Sequence, residues 1–311
     1  MRKYAVIDGH CDTAVEFFRK GVLFAENDLM VSLKRAEALP GYVQFFAFCP
    51  VWVKEAQDKP QFFREARAHF LGEIEKNSSR VRLMKSASDA KAVLENGGCG
   101  AFISFEGAEG INCDPGRLEE AYEAGVRMIA LTWNIPNALS GTCLTGEGLS
   151  AQGKEFARRA QKLGIVLDVS HLSERGFWDL CDIAEKPFVA SHSNSAAICP
   201  HVRNLTDDQF KALCDLGGTT GLNLYGAFLT ENTATYEDVY RHLDHLLSIS
   251  GGGHVALGGD LDGCSVLPVG FTGVDDYNDL AQYLQGKGLD DGTMSALYNG
   301  SLMEVLETCI M

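Results

Sequence analysis

Eight short apolar runs are spaced along the chain, and a helical pattern separates most of them from the next. They cover residues 4–8, 43–48, 100–105, 126–132, 165–169, 188–191, 219–224 and 255–259. A strand covered on both faces reads as an almost unbroken hydrophobic run, because neither side alternates with solvent. Strands alternating with helices imply βαβ units and a parallel sheet. Eight such strands are what a TIM-type barrel needs to close. The expected fold class is therefore α/β: one (β/α)8 barrel domain over residues 1–311, with a short helical extension at its C-terminal end.

The intervening segments carry helix signals. Residues 61–77 place Phe62, Phe63, Ala66, Phe70 and Ile74 on one stripe. Ser173 is placed to cap a helix carrying Phe177, Leu180 and Ile183. Residues 49–59 and 134–149 read as elaborations at the barrel mouth, where βα loops carry function. The chain has 311 residues, of which 46% are hydrophobic, enough for one large core.

Charge and termini exclude several functions. The net charge of -15 and the lack of a basic stretch argue against nucleic acid as a partner. The N-terminus turns polar too soon for a signal peptide, and no apolar stretch approaches the roughly 20 residues that span a bilayer. Cys309 is third from the end, where a prenylation box needs its cysteine fourth. A cytoplasmic protein with no membrane partner is expected. Ten cysteines without a C-x-x-C pair need not form a disulfide framework.

The ends of the runs carry the chemistry. His10 and Asp12 follow YAVID, Glu106 follows AFISF, His171 follows IVLDVS, His192 follows PFVAS, and Asp260 follows VALGG. In a closed parallel barrel, side chains at the C-terminal strand ends converge on one mouth. His10 and Asp12, at i and i+2, share a side of the chain and could hold one cation. Glu106 could bridge two metals, and His171 and His192 could complete the second site. Imidazole and carboxylate donors suit zinc. A zinc pair roughly 3.5–4 Å apart would share a hydroxide able to act as nucleophile. Asp260, facing it, could take a proton and hand it to a leaving amine.

Taken singly, each residue has a plainer role: a hydrogen-bonded histidine, or an acid in a turn. The joint pattern of five metal-type side chains at the same end of four strands outweighs that. By contrast, His69, His242 and His245 lie in helical patterns and His254 starts a strand, so these four read as structural or surface residues. Cys11, between two candidate ligands, is expected to point away from them, and Asp262 to serve a turn.

With these motifs in place, the chain resembles the membrane dipeptidase (renal dipeptidase) family of the amidohydrolase superfamily. The resemblance runs in order through IDGHCDT, FEG at 105–107, AGVRMIALTWN, LGIVLDVSHLS, KPFVASHSNS, VRNLTDD, GGTTGLNLY and VALGGDLDG. It implies a barrel with two zinc ions, other divalent metals being possible. It also implies hydrolysis of dipeptides, including those with a C-terminal D-residue. By motif, His10 and Asp12 would bind one zinc, Glu106 would bridge, and His171 and His192 would bind the other. Asp260 would move the proton, Arg203 would grip the dipeptide carboxylate, and Tyr225 would contact substrate. A homodimer is a possible assembly. Mammalian members have a histidine, thought to steady the tetrahedral intermediate, where this chain has Trp133. An indole N–H can donate a hydrogen bond but carries no positive charge.

Two other readings stay open. The same site could hydrolyse another small amide or a lactone, to which Trp133 lends weight. A non-catalytic metal-binding protein is the other, although every ligand position is filled by a competent residue.

Overall fold

The computed structural model describes residues 3–310; Met1, Arg2 and Met311, the ends that bear on a leader or a prenyl group, lie outside the described residues. Nine parallel strands form one sheet: β1 (Val6–Cys11), β2 (Tyr42–Phe48), β3 (Val81–Leu83), β4 (Cys99–Glu106), β5 (Val126–Ala130), β6 (Val166–Asp168), β7 (Val189–Ala190), β8 (Thr219–Leu222) and β9 (Val255–Leu257). The order runs β2-β1-β9-β8-β7-β6-β5-β4, and β2 pairs with β4 to close the ring. Those eight are the strands expected from the apolar runs, and together with the surrounding helices they make a TIM-type barrel. The ninth, β3, only flanks it. It pairs with residues 99–101 of β4, on the side where residues 103–106 take β5. Its sequence, VRL, is too short and too polar to read as an apolar run.

The strands alternate between two cores. Ile7, Val43, Phe45, Phe102, Met128, Val166, Val189 and Ala256 point into the barrel, where Phe45 and Phe102 stack with centroids 4.6 Å apart. Val6, Tyr42, Phe46, Phe48, Ile103 and Phe105 point outward into the layer shared with the helices. Both faces of each strand are therefore dry, which is why the runs lack polar alternation.

The C-terminal stretch closes the floor of the barrel. It divides into a helix at Asp291–Ser295, a π-helical turn at Ala296–Gly300 and a helix at Ser301–Cys309. Leu302, Val305 and Leu306 of the last helix join the inward-facing strand residues in one apolar cluster. Among the described residues no helix is long and apolar enough to cross a membrane. With the floor sealed by these side chains, the opposite mouth is left to carry polar groups.

Candidate metal centre and its cavity

That mouth gathers the six strand-end residues into one volume. His10 Nε2 lies 3.4 Å from Asp12 Oδ2 and 3.6 Å from Glu106 Oε1. The same Glu106 oxygen lies 2.8 Å from His171 Nε2 and 3.5 Å from His192 Nε2. Asp260 Oδ1 stands 4.0 Å from His10 Nε2. Two donor sets result, His10–Asp12–Glu106 and Glu106–His171–His192, and they share Glu106. Cys11 is fully buried in the outward core and belongs to neither set.

Local backbone devices set these positions. Asp8, buried in the middle of β1, accepts the N–H of His10 at 2.9 Å, the N–H of Gly259 at 3.1 Å and the hydroxyl of Tyr277. It thus pins the end of β1 to the end of β9. Asp12 occupies the residue before the helix Thr13–Lys20 yet makes no side-chain cap bond, so its carboxylate is free for the site. His171 and Asp260 both have left-handed backbones, at φ 74° and 57°. Such conformations cost energy in non-glycine residues and cluster where function holds them. A Cβ on Gly263 would collide with Asp12 Oδ2 and Asp260 Oδ1, so only glycine leaves room for both carboxylates.

The imidazoles are oriented from behind. His171 Nδ1 donates to Asn134 Oδ1 at 2.8 Å. His192 Nδ1 donates to Ser191 Oγ at 2.7 Å, and the Ser191 hydroxyl donates to Asp168 Oδ2. Both Nε2 atoms are then lone-pair acceptors, yet they face each other at 3.1 Å and both face a carboxylate. Acceptors crowded this way repel unless a cation sits among them. His10 Nε2 and Asp12 Oδ1 are buried without any hydrogen-bond partner, which a metal ligand would be. The donor set fits divalent zinc.

The electrostatics agree. Burial opposes protonation of His10, but Glu106, Asp12 and Asp260 outweigh it and raise its pKa to about 10. Burial, then Glu106, raises Asp12 to about 6. Burial, helped by Asp12 and Glu106 against His10, raises Asp260 to about 7. His171 and His192 go the other way: burial pushes both well below the usual imidazole range, with His10 and Arg203 adding to it. Too much negative charge on one side and bare imidazoles on the other are what a bound dication would reconcile.

A cavity of about 750 Å³ opens above this floor. Arg203, Tyr225 and Trp133 all line it. Arg203 is 7% exposed; one Nη reaches Ser193 Oγ at 3.5 Å, and the other is buried without a partner. A guanidinium in that state is an anion receptor. Tyr225 packs edge-on against Phe228, and Trp133 stands 6.4 Å from the His171 ring. The mouth loops supply Trp52 and Leu144 as further walls. Asp262 lines it too, but both its oxygens are spent on Thr13 and Met30, so it ties loops together as a turn acid would.

Several residues were not singled out by sequence. Asp168 and Ser191 form the relay behind His192. A third donor grouping contains Asp168, but its oxygens already accept from Ser170 N, Ser191 N and the Ser191 hydroxyl. Asn134 holds His171, and Asn223 Nδ2 donates to Asp260 Oδ2 at 3.0 Å. His201 lines the cavity beside Arg203. The one available signal was an acid inside an apolar run, in YAVID and IVLDVS, where an unpaired carboxylate would be costly.

Relatives carry the same architecture. The profile of the membrane dipeptidase family, peptidase family M19, matches residues 1–309. The chain belongs to that family. It is accordingly a metallo-dipeptidase by descent, a hydrolase acting on peptide bonds. An uncharacterized protein from the pqqA 5′ region of Klebsiella pneumoniae is 36% identical over 75% of this chain and 91% of its own. An uncharacterized dipeptidase of Schizosaccharomyces pombe is 34% identical over 66% of this chain, an alignment spanning 52% of that relative. A metallo peptidase from Rhodobacter sphaeroides, liganded with a phosphinate mimic of the dipeptide L-Ala-D-Ala, superposes with a TM-score of 0.89 at 27% identity, covering 98% of this chain and 99% of its own. A dipeptidase of the same peptidase family superposes at 0.90 with 28% identity, covering 99% of both chains.

Proposed function

We propose that the protein is a binuclear-zinc dipeptidase whose ions are held by His10, Asp12, Glu106, His171 and His192. The observation that carries this reading is the sharing of one Glu106 oxygen between two buried donor sets. Bound there, a pair of divalent cations would polarise the scissile carbonyl and supply ionised water at neutral pH.

The remaining work falls to this chain's own groups. Arg203 takes the substrate's free carboxylate, which fixes the register of a two-residue substrate against the floor. Asp260 takes the proton of the attacking water and returns it to the leaving amine. Asn223 occupies one Asp260 oxygen and so turns the other toward the floor. Tyr225 and Trp133 close the walls and exclude water. Trp133 can donate its indole N–H to an oxyanion. The L-Ala-D-Ala mimic bound by the Rhodobacter relative supports acceptance of a C-terminal D-residue here. The ten cysteines are all free, which favours a reducing compartment and a cytoplasmic location as part of the proposal.

The test is metal analysis beside a panel of L,L- and L,D-dipeptides with added zinc. Two metal equivalents and turnover of free dipeptides are expected. Trp133 in place of a cationic side chain favours one second reading, hydrolysis of a small lactone or non-peptide amide. Lactone opening without dipeptide cleavage would select it.

A further inference from the structure

Asp12, the residue before the helix Thr13–Lys20, and Glu16 and Arg19 on that helix are spaced at i, i+4 and i+7, and all three line the cavity. This stripe climbs from the metal floor to the rim, roughly 10 Å of helix rise. At its top, the Arg19 guanidinium lies 4.7 Å from the centre of the Trp52 ring. Stacking on an indole holds the guanidinium plane in place while leaving its edge free to donate.

The acids nearby are already satisfied. Glu16 is divided between Arg19 Nη1 at 2.6 Å and Lys20 Nζ at 2.7 Å, so one carboxylate faces two cations. Asp262 is bonded through both oxygens, to Thr13 and Met30. Arg19 spends a donor on Glu16, and its side chain remains 37% exposed. The free hydrogen-bonding capacity at this rim is therefore cationic.

Position matters as much as charge. Trp52 follows β2 and Arg203 precedes the helix after β7, strands that stand four apart in either direction round the eight-membered ring. Arg19 follows β1, three strands from β7, and leans on Trp52 a strand further round, so the two guanidinium groups come from well-separated parts of the ring and line the one cavity above the metal floor. A dipeptide that gives its carboxylate to Arg203 and its amide to the floor must send its N-terminal residue toward Arg19.

We propose that Arg19, stacked on Trp52, receives an acidic side chain on the substrate's N-terminal residue, so that the preferred substrates are aspartyl and glutamyl dipeptides. This inference rests on the dipeptidase reading. The experiment compares kcat/KM of the zinc-loaded protein for L-Glu-Ala, L-Gln-Ala and L-Lys-Ala, with the alanine in L and D forms. Glu is expected to exceed Gln roughly tenfold, through KM, as one charge-assisted contact provides. The ratio should fall with added salt. Arg19→Gln should bring it to about one, and Trp52→Leu should lower it by releasing the guanidinium. Turnover with equal rates for Glu and Gln, a preference for Lys, or a ratio unchanged by Arg19→Gln overturns the inference alone. No turnover of any dipeptide overturns the dipeptidase reading and this inference with it.

Discussion

Asp168→Asn tests how much of the metal centre is built from behind. Asp168 is 2% exposed and accepts three hydrogen bonds, from Ser170 N and Ser191 N at 2.9 Å each and from the Ser191 hydroxyl. An amide at this position can keep the two backbone bonds through its oxygen. Its NH₂ then meets Ser191 Oγ as a donor, so the Ser191 proton must turn elsewhere, and of the two partners within reach, His192 Nδ1 at 2.7 Å is much nearer than Ser170 Oγ at 3.4 Å. That turn moves the imidazole proton to Nε2, the atom facing Glu106 and His171. The ligand set loses a lone pair without losing a residue. Groups that orient metal-bound histidines typically contribute about 10–100-fold in affinity, or about 1.4–2.7 kcal/mol. Competition with a zinc chelator should show one of two sites weakened by that factor while the other holds. Ser191→Ala should weaken the same site less, because His192 Nδ1–H then loses only its acceptor. Thermal unfolding in chelator checks that both variants fold. Unchanged zinc affinity in Asp168→Asn, in a folded protein, would refute the relay.

Other outcomes follow from the same geometry. Burial holds His242 near pKa 4, below its ordinary 6.5; its Nδ1 accepts from Ser195 N at 3.1 Å and its Nε2 donates to Leu229 O at 3.0 Å. Its folded pKa is depressed, so its stabilisation is full above pH 6.5 and is lost as pH falls toward 4. Between pH 7.5 and 5 the wild-type minus His242→Asn stability should shrink by about 2 kcal/mol in urea titrations, and a pH-independent difference would contradict the neutral assignment. Arg203→Ala should raise KM at least tenfold for dipeptides with a free C-terminus and far less for C-terminally amidated ones, measured by steady-state kinetics. Leu306→Ala removes a fully buried side chain from the barrel floor and should cost about 2–5 kcal/mol by denaturant titration, with zinc affinity at the far mouth unaltered.

Much of this architecture was legible in the chain. The runs around Ile7, Val43, Phe102 and Val166 are apolar on both faces, as strands of a covered parallel sheet are, and their alternation with helical patterns points to that sheet. The five ligand candidates and Asp260 were visible because a charged or imidazole group ending such a run has one place to go, the mouth. The flanking strand β3 was not legible, because three residues with an arginine in the middle carry no pattern. The role of the C-terminal helix was hidden as well, since Leu302 and Leu306 look the same whether they cover a floor or pack on a neighbour.

What the sequence by itself determined was the kind of sheet and the end of it that would be polar, because burial on two faces and strand-end chemistry are local properties of each run. Only the tertiary structure decided which atoms meet. The closure of β2 on β4, the pinning of β1 to β9 by Asp8, and the relay from Asp168 through Ser191 to His192 join residues far apart in the chain. Such contacts depend on the ring being complete, and no local pattern records them.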